Sequence, residues 1–143
     1  MKVLPIARIL IIDADAERRQ TTKLGLTALG VGTVTEAASS AEALELPRQF
    51  DVVVVQAGSV DDIPPHPFRD TGDGIPAVMV ADGSAHALAR AAGRQGYEAA
   101  VGMPLLPRLL YRRIGSVLPR ARRGQRPGAP SVEAGSGTAA TAG

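Results

Sequence analysis

The residues best placed to do chemistry are two carboxylates, Asp13 and Asp15, which end the stretch ARILIIDAD. Ile9 to Ile12 form a branched apolar run, which suits a strand buried on both faces. Asp13 and Asp15 then fall just past its carboxyl end, the edge of an open parallel sheet where sites form. Any site is therefore expected around Asp13. Asp15 has two readings: a member of that site, or the cap of a helix beginning at Ala16. Other chemistry is sparsely supplied. There is no cysteine, which removes disulfides and thiolate metal ligands. His66 and His86 are the only histidines, far apart and without a spaced partner, and both are expected at the surface. No Ser-His-Asp set or paired histidines are available, and no GxGxxG or P-loop follows any strand. No metal and no cofactor are expected, and the chain reads as a protein that is not an enzyme.

Length and composition bound the rest. The 143 residues suit one domain plus a tail, and 45% hydrophobic residues are enough for a normal core. Phe50, Phe68, Tyr97 and Tyr111 are all the aromatics, too few stacking platforms for a single-strand nucleic-acid binder. Pro5, Arg8 and Asp13 interrupt any signal-peptide pattern, and no segment is long enough to span a bilayer, so a cytoplasmic location is expected. Charge is unevenly spread. Residues 1–100 carry nine Lys or Arg against thirteen Asp or Glu, whereas residues 101–143 carry seven Arg against Glu133 alone. The two parts face different partners, or face each other.

The elements that must position Asp13 follow from periodicity. Ala16 to Leu29 predicts a helix with Leu24, Ala28 and Leu29 inward and Glu17, Arg18, Arg19 and Lys23 outward, ended by Gly30 and Gly32. Val31 to Glu36 predicts a short strand. Ser39 or Ser40 caps a helix running to about Gln49, with Glu42 in its first turn and Pro47 near its end. DVVVVQ, Asp51 to Gln56, is a buried strand by its β-branched composition. Residues 57–74 are rich in Pro and Gly and predict a long loop with at most one short helical turn. Ile75 to Ala81 predicts a third buried strand, Ala85 to Gln95 a helix capped by Ser84 and stopped by Gly96, and Glu98 to Gly102 a weaker strand. Leu105 to Leu118 predicts a last helix with Leu106, Leu109, Leu110, Ile114, Val117 and Leu118 as its apolar stripe. The alternation predicts an α/β, doubly wound, flavodoxin-like parallel sheet of five strands in the order 2-1-3-4-5, with the third helix short or missing. Residues 1–118 form the domain. Residues 119–143, basic and then Gly- and Ala-rich, are expected to be a disordered tail.

With ILIIDAD, DVVVVQ, IPAVMVA and the Gly96-Tyr97 to Met103-Pro104 stretch in this order, residues 7–118 resemble a response-regulator receiver domain, the CheY-like family. The resemblance implies a phosphorylation site at the carboxyl edge of the sheet. Two acids there hold Mg²⁺, an aspartate takes the phosphoryl group, a Thr or Ser and a Lys bind its oxygens, and an aromatic completes the switch. On this chain the acid pair falls on Asp13 and Ala14, the acceptor on Gln56, the hydroxyl position on Ala81, the lysine position on Met103 and the aromatic position on Ala100. Pro104 is retained. Nucleophile, hydroxyl, lysine and aromatic are lost together, and an amide cannot form an acyl phosphate. The chain therefore reads as a degenerate receiver that works without phosphorylation, with Asp61, Asp62 or Asp82 as the rival, displaced acceptors.

Without the switch, function falls to surfaces. In receivers the face of the fourth helix, fifth strand and fifth helix commonly binds partners. Here it corresponds to Ala85–Gln95, Glu98–Val101 and Arg108–Val117, and it carries Arg90, Arg94, Arg108, Arg112 and Arg113. It is either a solvated face or a basic docking patch for an acidic protein surface. The first helix is the second candidate. The implied partner is a signalling protein of a bacterial two-component pathway: a histidine kinase, a phosphotransfer protein or a downstream regulator. A homodimer through the Ala-rich helix is allowed. Arg120, Arg122, Arg123 and Arg126 make the tail the alternative, an anion-binding segment for nucleic acid or a cyclic dinucleotide. Four arginines give weak, salt-dependent binding, which argues against specific nucleic-acid recognition. A small flavodoxin-like enzyme is the remote alternative.

Overall fold

The computed structural model describes residues 6–118. Arg120, Arg122, Arg123 and Arg126 and the expected tail lie outside the described residues. Five strands, β1 (Arg8–Ile12), β2 (Thr33–Ala37), β3 (Val52–Ser59), β4 (Ala77–Asp82) and β5 (Ala99–Gly102), form one sheet. The order is β2-β1-β3-β4-β5 and every pairing is parallel, as the alternation of strands and helices predicts. Among the described residues the α-helices are α1 (Ala16–Ala28), α2 (Ser40–Leu44), α3 (Ala85–Arg94) and α4 (Pro107–Val117). Between β3 and β4 stands only a 3-10 turn, Val60–Asp62, where a third crossover helix is short or missing in the expected fold.

Strand alternation sorts the core into two layers. Leu10, Ile12, Val53, Val55 and Met79 face α2, α3 and the segment 63–75. Ile9, Ile11, Val52, Val54, Val78 and Val80 face α1 and α4 through Leu26, Leu110 and Ile114. This explains why the strands read as continuous apolar runs rather than alternating ones: both faces are covered.

Several elements differ from expectation. In α1 the buried residues are Thr22 and Leu26, while Leu24 is 59% exposed and Ala28 is also exposed. The inward stripe is Arg18, Thr22, Leu26, at successive four-residue steps. Its first two members are held by polar partners described below, so hydropathy misplaces it. Helix α2 is short and does not reach Gln49. Ser39 caps it by accepting from the Glu42 amide at 3.1 Å, and Glu42 returns by accepting from the Ala38 amide at 2.7 Å, but Pro47 lacks the N–H a longer helix needs. Strand β3 does not stop at Gln56. It runs on to Ser59 with a register shift against β4. Leu106 is not part of the α4 stripe: it precedes the helix, with Pro107 at the first turn, and is 58% exposed.

The segment 63–75 departs most from a plain loop, and His66 is buried rather than at the surface. Its Nε2 lies 2.7 Å from the Ile75 carbonyl, and its Nδ1 accepts from the Phe68 amide at 3.0 Å. These partners fix the tautomer with the proton on Nε2. The ring stacks on Tyr97 at 5.7 Å, and the Tyr97 hydroxyl donates to the Pro64 carbonyl at 3.0 Å. Phe68 fills the core under the Arg48 guanidinium, which in turn pairs with Asp73. The segment thus covers sheet area that a crossover helix would otherwise cover. His86, in contrast, is exposed at the start of α3, as expected.

Candidate functional site

Asp13 follows β1, and its amide donates to the Ala37 carbonyl at 3.1 Å, extending the β1–β2 ladder by one bond. That fixes its backbone, and strand alternation turns its side chain to the α1 layer. The carboxylate is fully buried. A buried charge needs a partner, and Arg18 supplies it: Nε donates to Oδ2 at 2.6 Å and Nη2 to Oδ1 at 2.7 Å. Oδ1 also accepts from the Asp15 amide at 2.9 Å. The hydrogen bonds to Asp13 raise the Arg18 pKa, so the guanidinium is held charged. Asp15 takes the capping role of its two readings: its side chain accepts from the Arg18 amide at 3.1 Å. Capping by Asp15 starts α1 at the point that brings Arg18 back over Asp13.

Arg18 was expected outward among solvated charges. It turns inward because, among the described residues, it is the only cation hydrogen-bonded to the Asp13 side chain. Arg19 adds a bond from Nη1 to the Asp13 carbonyl at 2.6 Å. Arg19 and Lys23 also grip Glu36, at 3.0 and 3.3 Å. Burial pushes the Glu36 carboxyl up, but the hydrogen bonds from Arg19 and Lys23 outweigh it and hold the group below its ordinary value.

Gln56 is 7% exposed and faces the same layer. Its Oε1 lies 3.1 Å from the Thr22 hydroxyl, which also lies 3.0 Å from the Arg18 carbonyl. One hydroxyl hydrogen serves one acceptor at a time. Nε2 of Gln56 is buried without a partner. Rotating the amide by a half-turn lets its nitrogen donate to Thr22, but then leaves the oxygen in the unpartnered place. Ala81 is fully buried, and Ala100 and Met103 pack against the two core layers. The Met103-Pro104 peptide is cis, ahead of α4. Asp13, Arg18, Thr22 and Gln56 are thus brought together, while Ala14 is exposed and contributes no polar side chain. The carboxyl edge offers a neutralised acid, an amide and apolar side chains. Among the described residues no group of three or more His, Cys, Asp or Glu could hold a metal ion. Asp61, Asp62 and Asp82 are all exposed, the first two on the 3-10 turn and the last at the end of β4.

The expected partner face is laid out on both sides of the sheet's edge. Strand β5 is terminal in the sheet, with α3 on one layer and α4 on the other. Arg90 and Arg94 on α3, and Arg108, Arg112 and Arg113 on α4, are exposed and make no ion pair among the described residues. Glu98 is the only acid between Gly83 and Leu118. Among the described residues no helix is long and apolar enough to cross a membrane.

No protein-family model matches the chain, and no curated protein does. Solved structures do. A response regulator receiver domain protein from Clostridium thermocellum superposes with a TM-score of 0.64 at 22% identity, over 81% of this chain and 97% of that one. The chemotaxis response regulator CheY4 of Vibrio cholerae gives 0.63 at 23% identity, over 78% and 98%. A protein of Burkholderia pseudomallei described as pilus assembly-related gives 0.65 at 19% identity, over 82% and 93%. The topology, the doubly wound layers and these superpositions agree: the fold of this chain is the CheY-like receiver fold of response regulators.

Proposed function

We propose that this chain is a receiver-like signalling adaptor that works without phosphorylation, through protein–protein contacts. The observation that carries the reading is the Asp13–Arg18 pair. A buried carboxylate already neutralised at both oxygens by a guanidinium has no net charge left to attract a divalent cation. Phosphoryl transfer depends on positioning and charge neutralisation, and Gln56, Ala81 and Met103 supply neither a nucleophile nor a hydroxyl nor a cation. The reading therefore assigns no catalysis to the chain.

The contacts are carried by the α3–β5–α4 face, with the exposed side of α1 as the second surface. Five exposed arginines near a single glutamate favour an acidic protein partner, for which complementary charge raises on-rate and selectivity. A histidine kinase, a phosphotransfer protein or a downstream regulator is the class of partner proposed. The test uses three baits in extract of the native cell, with bound species identified by mass: the full chain, a chain ending at residue 118, and the full chain carrying Arg90→Glu, Arg108→Glu and Arg112→Glu. The reading expects one protein retained by the first two and lost by the third. Capture that survives charge reversal but disappears with residues 119–143, or recovery of nucleic acid or a nucleotide, supports the arginine-rich segment instead.

A further inference from the structure

At the amino edge of the sheet, opposite Asp13, a groove of about 490 Å³ opens between the segment 63–75 and the link through Gly96 and Glu98 that joins α3 to β5. It shares Glu98 with the α3–β5–α4 face and is otherwise separate from the surfaces described above. Its size lies within the range of about 300–1,000 Å³ usual for small-molecule sites. Two charged groups line it. The Arg69 side chain is exposed and makes no hydrogen bond or ion pair among the described residues. It lies against Gly96, where an added Cβ would stand 3.4 Å from Arg69 Nε. Glu98 is anchored by one oxygen: Oε1 accepts from the Ala77 amide at 2.8 Å, and Oε2 has no partner among the described residues. No ion pair joins Arg69 to Glu98.

The rest of the lining is apolar, bare or already hydrogen-bonded. Phe68 and Ile75 are nearly fully buried, and both ring nitrogens of His66 are committed to backbone partners. The groove therefore presents one cation and one anion that do not pair with each other, beside a lining that is otherwise apolar, bare or already hydrogen-bonded. We propose that it binds a zwitterionic small molecule of the amino-acid class, a free apolar amino acid or dipeptide. The carboxylate would meet Arg69, the ammonium would meet Glu98, and the side chain would lie toward Phe68 and Ile75. A ligand with only one charge satisfies one of the two groups and leaves the other to water, which is the basis of selectivity here. Binding would tie the segment 63–75 to the link through Gly96 and Glu98 that leads from α3 into β5.

The experiment is amide chemical-shift titration of the full chain with L-leucine and L-leucyl-L-leucine, beside isovalerate and isoamylamine as single-charge probes. The expected result is saturable shifts at Arg69, Gly72, Gly74, Gly96 and Glu98 for a zwitterion, with each single-charge probe about tenfold weaker or worse. Arg69→Ala and Glu98→Gln should each weaken the zwitterion by about tenfold or more, with the remaining spectrum unchanged. Gln at 98 keeps the acceptor for the Ala77 amide, so the variant tests charge rather than folding. Absence of saturable shifts with both zwitterions overturns the proposal. Isovalerate binding as well as leucine, or variants that bind like the parent chain, overturns it equally. The adaptor role is read separately, by the charge-reversal baits, which leave Arg69 and Glu98 unchanged.

Discussion

Arg18 holds Asp13 by two parallel hydrogen bonds, 2.6 and 2.7 Å long, across one turn of chain between β1 and α1. The Arg18 side chain is a third exposed, while that of Asp13 is fully buried. The pair therefore does two things at once: it neutralises the acid at the sheet edge, and it fixes the rotation of α1 about its axis.

Removing Arg18 strands the carboxylate. Breaking a fully buried pair costs about 3–5 kcal/mol, and partial solvent access to Arg18 lowers the expectation to about 1–3 kcal/mol for Arg18→Ala. Asp13→Asn in the Arg18→Ala background should recover part of that loss. A double-mutant cycle by urea denaturation measures the coupling, and additive losses would contradict the description of the pair.

Gln56 should be dispensable for stability. One head atom of its amide is buried without a partner, which is a cost rather than a gain. Gln56→Met removes that atom, keeps the volume, and leaves Thr22 its bond to the Arg18 carbonyl. The variant is expected to be neutral or up to about 1 kcal/mol more stable in the same measurement.

Two helical glycines should respond in opposite directions to alanine. A Cβ at Gly25 of α1 would stand 2.8 Å from Pro107 Cγ and 3.0 Å from Pro107 Cβ, whereas one at Gly93 of α3 meets nothing within 4 Å. Gly93→Ala is expected to gain up to about 1 kcal/mol from helix propensity. Gly25→Ala is expected to lose about 1–3 kcal/mol, because α1 and α4 must move apart. Thermal unfolding of the two variants checks the contrast.

Tyr97 supplies a pH dependence. Burial raises its phenol pKa above the ordinary value of 10.0. A group with a raised folded pKa contributes stability that is complete below the unfolded value, and that is lost as pH climbs beyond it. Deprotonation would also remove the donor to the Pro64 carbonyl. In a Tyr111→Phe chain, where Tyr97 is the sole phenol, phenolate absorbance should rise only above pH about 10, together with loss of structure. A reversible titration at the ordinary value in the folded protein would contradict the burial.

Much of the architecture was legible because strand burial writes itself into composition. ILII, VVVV and AVMV are apolar on both faces, which only a doubly covered parallel strand requires. The strand order followed from alternation with helices. The inward face of α1 was not legible. Its stripe runs through Arg18 and Thr22, which scales of hydropathy send outward, and only the buried Asp13 and Gln56 opposite make them inward residues. His66 was missed for the same kind of reason. Its burial depends on two backbone groups, at Phe68 and Ile75, that a Pro- and Gly-rich loop brings to the ring. The one available signal was Asp13 itself: a carboxylate behind four apolar residues needs a cation, and Arg18 is the first downstream.

The most direct test of the account is intact mass after incubation of the full chain with a small-molecule phosphodonor and Mg²⁺. With Arg18 on Asp13 and an amide at Gln56, the expected result is an unchanged mass at every time point. A stoichiometric single phosphoryl adduct would contradict it, and its position, at Asp61, Asp62, Asp82 or elsewhere, would identify the acceptor.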